Sequence, residues 1–499
     1  MPRTSHRADA GSSHRTDDRA DAGSGHSTND RTDHRTRALR DHLAARLPEL
    51  LAEHGVPGAS LAVAIGDETI TVAAGVLNLR TGVPVTGDAV FQIGSVTKVL
   101  TATLAMRLAD EGRLDLDATV RSILPEFALA DAAAAERITV RQLLCHSSGF
   151  EGDVFTDTGE NDDCLERYVA ELATTPQLFA PGTMFSYNNA GICVLGRIIE
   201  VIEGVPFDRA LRERLLDPLG LDRAAGDAGE AILQAAAVGH VREDPDAPLA
   251  PTRTWAMARS NSPAGSRLAM RAEDLIAFAR LHLAGGRAVP GEELLGASAI
   301  REMQHPQILL PEIAQGTAWG LGWEMWQRDG GWVIGHDGST IGQSALLRLV
   351  PARGIAVAVL ANGGDAKPVF AEIADRVLEE FAGIAPAEPP RPAHDPAHDP
   401  VPLPADPERF TGRYASSTAI TEVRIDVDGR LWLERVPVGI VAELGDLPYR
   451  SELVGWRGDA LLPVEPEGGV HQPVAFLAPD ARGRAGILHT GRADVRVDA

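Results

Sequence analysis

The chain has 499 residues, 44% apolar and 23% charged, values of a globular protein long enough for one large domain and a smaller one. Its 70 Asp+Glu outweigh 47 Lys+Arg, for a net charge of −23, which opposes a phosphate-neutralising surface and argues against nucleic acid as a partner. The cysteines Cys145, Cys164 and Cys193 form no C-x-x-C pair, so neither a disulfide framework nor a zinc knuckle is expected, and a reducing compartment fits.

Residues 1–37 hold almost no side chain that can pack, and Arg-Ala-Asp-Ala-Gly-Ser occurs at both Arg7–Ser12 and Arg19–Ser24. They read as a disordered, mixed-charge tail, with His6, His14, His26 and His34 solvated rather than holding a metal. No signal-peptide core and no apolar run of the ~20 residues a membrane span needs is present. A cytoplasmic protein without a membrane partner is expected.

From residue 38 to 384 helical periods, short β-rich runs and turn clusters alternate, as in an α/β (α+β) domain. Only two lysines occur, Lys98 and Lys367. Arginine cannot give up its proton near neutral pH, whereas a buried lysine can serve as a neutral base, so a retained lysine marks possible chemistry. Lys98 closes Gly94-Ser95-Val96-Thr97-Lys98, ahead of Val99, Leu100, Leu104 and Leu108, whose spacing predicts a helix stopping near Gly112. Three residues apart on one helical face, Ser95 and Lys98 come within hydrogen-bonding reach beside the free N–H groups of the helix start. A serine nucleophile with a lysine base is the direct reading; a helix-capping serine with a surface lysine is the plainer one.

Next come Tyr187 and Asn189, in a polar turn ahead of an apolar helix with Ile192, Leu195, Ile198 and Ile199. A phenol can relay protons, and an amide can orient both the lysine and a substrate carbonyl; a turn packed for structural reasons is the alternative. Then His336, Gly338 and Ser339 lie between the Trp332–Ile334 and Leu346–Val350 strands. Gly338 allows a close backbone approach to a ligand, and an edge strand there can supply a backbone N–H to an oxyanion beside that of Ser95. His336 could bond Tyr187 or substrate; a plain hairpin turn would also use these residues.

The segment 385–404 carries Pro386, Pro389, Pro390, Pro392, Pro396, Pro400, Pro402 and Pro404, and is expected to be an extended spacer. In 405–499, Val423, Ile425 and Val427 alternate with polar residues before Asp428-Gly429, and Leu431 and Leu433 follow. This predicts a small antiparallel β-barrel or sandwich. Tyr414 and His471 are isolated there and expected to serve packing; no catalytic constellation is visible in it.

Ser95-x-x-Lys98, Tyr187-x-Asn189 and His336-x-Gly338, in this order over roughly 240 positions, resemble the motifs of the serine β-lactamase and penicillin-binding-protein superfamily, especially its class C-like branch. Leu143–Gly149, Pro263–Ser266 and Leu360–Gly363 add to the likeness, which spans about residues 40 to 383. It implies an antiparallel sheet flanked by helices, an inserted all-helical lobe and a site in the groove between them. By resemblance Ser95 is acylated, Lys98 and Tyr187 share the proton transfers, Asn189 holds the substrate amide, and the Ser339 N–H is the second oxyanion donor. His146 would be part of a wall, without a chemical role. No Gly-x-Ser-x-Gly elbow occurs, which counts against an α/β-hydrolase triad.

The departure is His336, where β-lactamases and transpeptidases carry lysine. A neutral histidine offers a hydrogen bond instead of a permanent cation, which argues against antibiotic hydrolysis. His-x-Gly resembles D-aminopeptidase and esterase members. The expected function is a cofactor-free, metal-free serine hydrolase of small peptides, amides or esters, compatible with a homo-oligomer. A β-lactamase, a transacylase and a catalytically silent ligand-binding or sensor module are the alternatives.

Overall fold

The computed structural model describes residues 24–244, 247–288, 291–392, 406–443, 447–467 and 469–497. Residues 1–23 of the expected tail, 393–404 of the Pro-rich segment and residue 405 lie outside them. The first helix, α1 (Ser24–Glu53), starts well before residue 38, so 24–37 is helical where composition suggests a tail. The added turns are anchored: the Arg35 guanidinium lies 4.6 Å over the Phe381 ring and Nη2 donates to the Glu380 carbonyl at 2.6 Å.

The large domain is built on an eight-stranded antiparallel sheet. Its strands are β1 (Gly58–Ile65), β2 (Glu68–Gly75), β3 (Ile308–Leu309), β4 (Ala318–Trp319), β5 (Glu324–Arg328), β6 (Gly331–Ser339), β7 (Ser344–Val350) and β8 (Ile355–Ala361). They lie in the order β2-β1-β8-β7-β6-β5-β4-β3. The central strands β1 and β8 are buried along their whole length, as covering on both faces requires. Their faces differ in size. Leu61, Val63, Val357 and Val359 meet Leu39, Leu43, Leu47 and Leu50 of α1, with Ile373 and Val377 of α6 (Ala366–Val377). Ala62, Ala64, Ala356 and Ala358 face the other way, where small side chains let α5 (Ala272–Leu283) approach closely, with α2 (Thr97–Asp110) in the same core.

Beyond α2 a helical lobe packs around α4 (Asn189–Glu203), with α3 (Cys164–Glu171) against it. Ile192, Val194, Leu195, Ile198 and Ile199 of α4 are buried. Asn188 caps its start, Oδ1 accepting the Gly191 N–H at 2.5 Å. Among the described residues no helix is long and apolar enough to cross a membrane, and the three cysteine thiols are buried and unbridged.

The C-terminal strands close into a barrel in sequence order: β9 (Gly412–Ala415), β10 (Ala419–Ile425), β11 (Leu431–Pro437), β12 (Tyr449–Arg457), β13 (Ala460–Pro463), β14 (Val474–Pro479), β15 (Ala485–His489) and β16 (Ala493–Arg496). Val423, Leu431 and Leu433 point inward with Phe410, Tyr414 and Phe476. Val427 does not join them: β10 ends at Ile425, and Asp426 Oδ1 accepts the N–H groups of Asp428 and Arg430, so Val427 sits exposed on the turn. Tyr414 is buried, its hydroxyl donating to Phe410 O at 2.9 Å, and His471 Nδ1 donates to Pro463 O. Strands running alternately up and down place the turns 416–418 and 490–492 on one rim, and 426–430 and 480–484 on the other. The first rim meets the large domain, where the Ser417 N–H donates to Glu151 Oε2 at 3.0 Å.

Candidate active site

Ser95 sits in the 3₁₀ turn Gly94–Val96 that feeds directly into α2. One helical turn on, Lys98 is 1% exposed, its Nζ 2.8 Å from Ser95 Oγ and donating to Ala264 O at 2.6 Å. A cation buried this way loses hydration without gaining a carboxylate contact, and burial pushes the Lys98 ammonium down to about 7. The amine is therefore partly neutral near neutral pH and placed to take the hydroxyl proton.

Tyr187 closes the other side, its ring centroid 5.0 Å from Lys98 Nζ. Burial raises its phenol above the ordinary range, while a hydrogen bond with Ser95 and the nearby Arg492 charge pull the opposite way. Its proton stays on at neutral pH, so it can pass a proton but not hold a standing charge.

The segment 335–339, expected to lie between two strands, is the end of β6 itself. Beyond Gly335, β5 no longer pairs with it. Thr340 N–H bonds Gln343 O and Ser339 stands opposite Ser344; by the antiparallel alternation, the Ser339 N–H then faces the open edge. That edge runs against the Ser95 turn: a Cβ at Gly338 would lie 1.9 Å from Ile93 O and 3.1 Å from the Ser95 nitrogen. Only glycine permits this approach. The backbone N–H groups of Ser95 and Ser339 thus converge where an oxyanion would form.

His336 is buried and, by burial first and the Lys98 charge second, lowered to about 3. Its Nδ1–H donates to Asp337 O at 2.6 Å, leaving Nε2 as an acceptor without a partner among the described residues. Its ring is 6.0 Å from that of Tyr187, so the two are neighbours without a direct bond.

Asn189 is bonded to a neighbouring carboxylate. Its amide nitrogen donates to Asp153 Oδ1 at 2.7 Å rather than turning to the lysine. The same carboxylate pairs with a cation that sequence reading missed, Arg492 from the barrel, which lies 5.1 Å from the centroid of the Tyr187 ring. Asp153 is 4% exposed and the Arg492 side chain 43%.

His146, read as wall, lies against the Tyr187 and Trp319 rings, at 4.6 and 4.9 Å between centroids. It holds φ +55°, a strained value for a non-glycine residue. Its Nδ1 accepts the Asn188 N–H at 3.1 Å, and burial keeps it neutral, so the proton resides on Nε2. That Nε2 and Trp319 Nε1, both buried, have no partner among the described residues. The positions of Asp153 and Arg492 left no local signal: they are 339 positions apart and neither stands in a recognisable pattern.

A family model described as Beta-lactamase matches residues 43–381. The chain is 43% identical over 363 residues to penicillin-binding protein 4 of Amycolatopsis lactamdurans, covering 70% of this chain and 94% of that one. Among solved structures, SurE with D-Leu superposes with a TM-score of 0.72 at 31% identity, over 92% of this chain and 100% of the other. A D-stereospecific amidohydrolase from Streptomyces sp. gives 0.54 at 27% identity, over 70% of this chain and 99% of the other.

Proposed function

The chain belongs to the beta-lactamase family, and from that premise we propose that it is a serine acyl-transfer hydrolase acting through a Ser95 acyl-enzyme on small peptide, amide or ester substrates. The observation that carries this reading is the buried amine of Lys98, 2.8 Å from Ser95 Oγ and held near neutrality.

In the proposed cycle, Lys98 Nζ takes the proton from Ser95 Oγ as the oxygen attacks the carbonyl carbon. The Ser95 and Ser339 N–H groups hold the resulting oxyanion. As the tetrahedral centre collapses, the proton moves from Lys98 through the Tyr187 hydroxyl to the departing nitrogen or oxygen. Water then enters, gives a proton back along the same path and frees the acid. His336 is neutral and supplies only a lone pair, so the cation that meets a substrate oxygen is Arg492. The likeness to SurE with D-Leu and to a D-stereospecific amidohydrolase supports an acyl donor bearing a D-residue.

A fluorophosphonate probe followed by intact-mass measurement tests this reading. One adduct on the native chain and none on Ser95→Ala is expected; an unlabelled native chain would leave a ligand-binding module instead. Profiling against D- and L-aminoacyl anilides, p-nitrophenyl esters and a chromogenic cephalosporin then ranks the substrates, with the cephalosporin expected last.

A further inference from the structure

The strand-like segment that carries Tyr187 is bonded on both sides. On one side, Ser186 N–H donates to His146 O at 2.9 Å and Asn188 N–H to His146 Nδ1. On the other side every partner comes from the barrel turn between β15 and β16. His489 Nε2–H donates to Phe185 O at 2.7 Å, Ala493 N–H to Ser186 Oγ at 3.2 Å, and Tyr187 N–H to Gly491 O at 3.0 Å. The same turn sends Arg492 to Asp153, whose Oδ1 also takes the Asn189 amide. Tyr187 and Asn189 are thus fixed from the barrel through main chain and side chain together.

His489 is wholly buried and uses both ring nitrogens. Its Nδ1 accepts the Gly491 N–H at 3.1 Å, which fixes the proton on Nε2 for Phe185. Gly491 has φ +111°, and a Cβ there would come 2.6 Å from Gln315 Oε1, so the turn is shaped for this approach. A hydrogen-bonded strut of this kind holds position to a fraction of an ångström, which proton transfer through a phenol demands.

We propose that the barrel turn His489–Ala493 is the positioning element of Tyr187 and Asn189, with His489 as its strut, so that acyl transfer by Ser95 requires the barrel in place. The proposal rests on the acyl-enzyme reading above. His489 touches no substrate; it acts by holding Tyr187.

The test uses the full chain and the second-order rate constant of Ser95 labelling by the fluorophosphonate, followed by intact mass, with melting temperature measured on the same samples. His489→Phe keeps the ring volume but loses both bonds; at least a tenfold slower labelling is expected. His489→Gln, whose amide nitrogen can still reach Phe185 O, should recover to within about threefold of the native rate, a rescue that volume alone cannot explain. Ser186→Ala, outside the barrel, removes one acceptor and should slow labelling about threefold even if His489→Phe fails to fold. Val427→Ser, on the far rim, should label as the native chain does. A native chain without an adduct on Ser95 overturns the acyl-enzyme reading. A labelled native chain with folded His489→Phe and Ser186→Ala variants at the native rate overturns the positioning role alone.

Discussion

In the proposed cycle Lys98 is the base, and its surroundings set a measurable pH response. With the group lowered to about 7 by burial, the fraction of neutral amine rises as pH climbs through that value. We expect kcat/KM to increase about tenfold per pH unit below 7 and to level off above it. Lys98→Arg should abolish turnover, because a guanidinium keeps its proton across this range; a residual rate within tenfold of native would contradict the neutral-amine role. Ser95 and Lys98 were legible in the sequence because their relation is local: one helical turn fixes both. Arg492 and Asp153 were not, since only the docking of two domains brings them to Tyr187. The Asp153 partner of Asn189 was hidden for the same reason.

At the scale of elements, the end of β6 shows how a strand can be read as a turn. His336-Asp337-Gly338 carries the polar and glycine signature of a hairpin, yet β6 continues through it because the Ser95 turn, rather than a further strand, covers its open edge. The glycine is there for that approach. Gly338→Ala would set a methyl against Ile93 O, at 1.9 Å before any relaxation. We expect a stability loss of about 1–3 kcal/mol, as overpacking gives. A larger effect is expected on kcat/KM, at least tenfold, since the two oxyanion donors would move apart; urea unfolding and initial rates measure the two separately. The barrel strands were legible from their alternation, as Val423, Leu431 and Leu433 show. The early start of α1 was not, because a polar sequence gives no stripe and the helix there is anchored by Arg35 reaching residues 380–381.

For the whole molecule, the contact between barrel and large domain should be sensitive to acid. His489 is lowered to about 4 and His336 to about 3, in both cases chiefly by burial. Each has a native value below that of the unfolded chain, near 6.5, so the unfolded chain takes up protons first as pH falls. Stability from these groups is complete above about pH 6.5 and is lost progressively toward 4 and below. A lower melting temperature at pH 4.5 than at pH 7.5 is expected, with a smaller drop in His489→Gln, which cannot titrate; equal drops would separate the acid response from the barrel contact.

The up-and-down winding of the barrel also sets its two rims apart in what they touch: one meets Tyr187 and Asp153, whereas the other reaches Glu312 and Ile313 through residues 456–460 and leaves Val427 in solvent. Cargo grafted between Asp428 and Gly429, such as a ten-residue glycine-serine epitope, hangs into solvent and should leave turnover as it was. An identical graft between Thr490 and Gly491 should silence the chain, though both insertions interrupt a short connection between neighbouring strands of one cylinder.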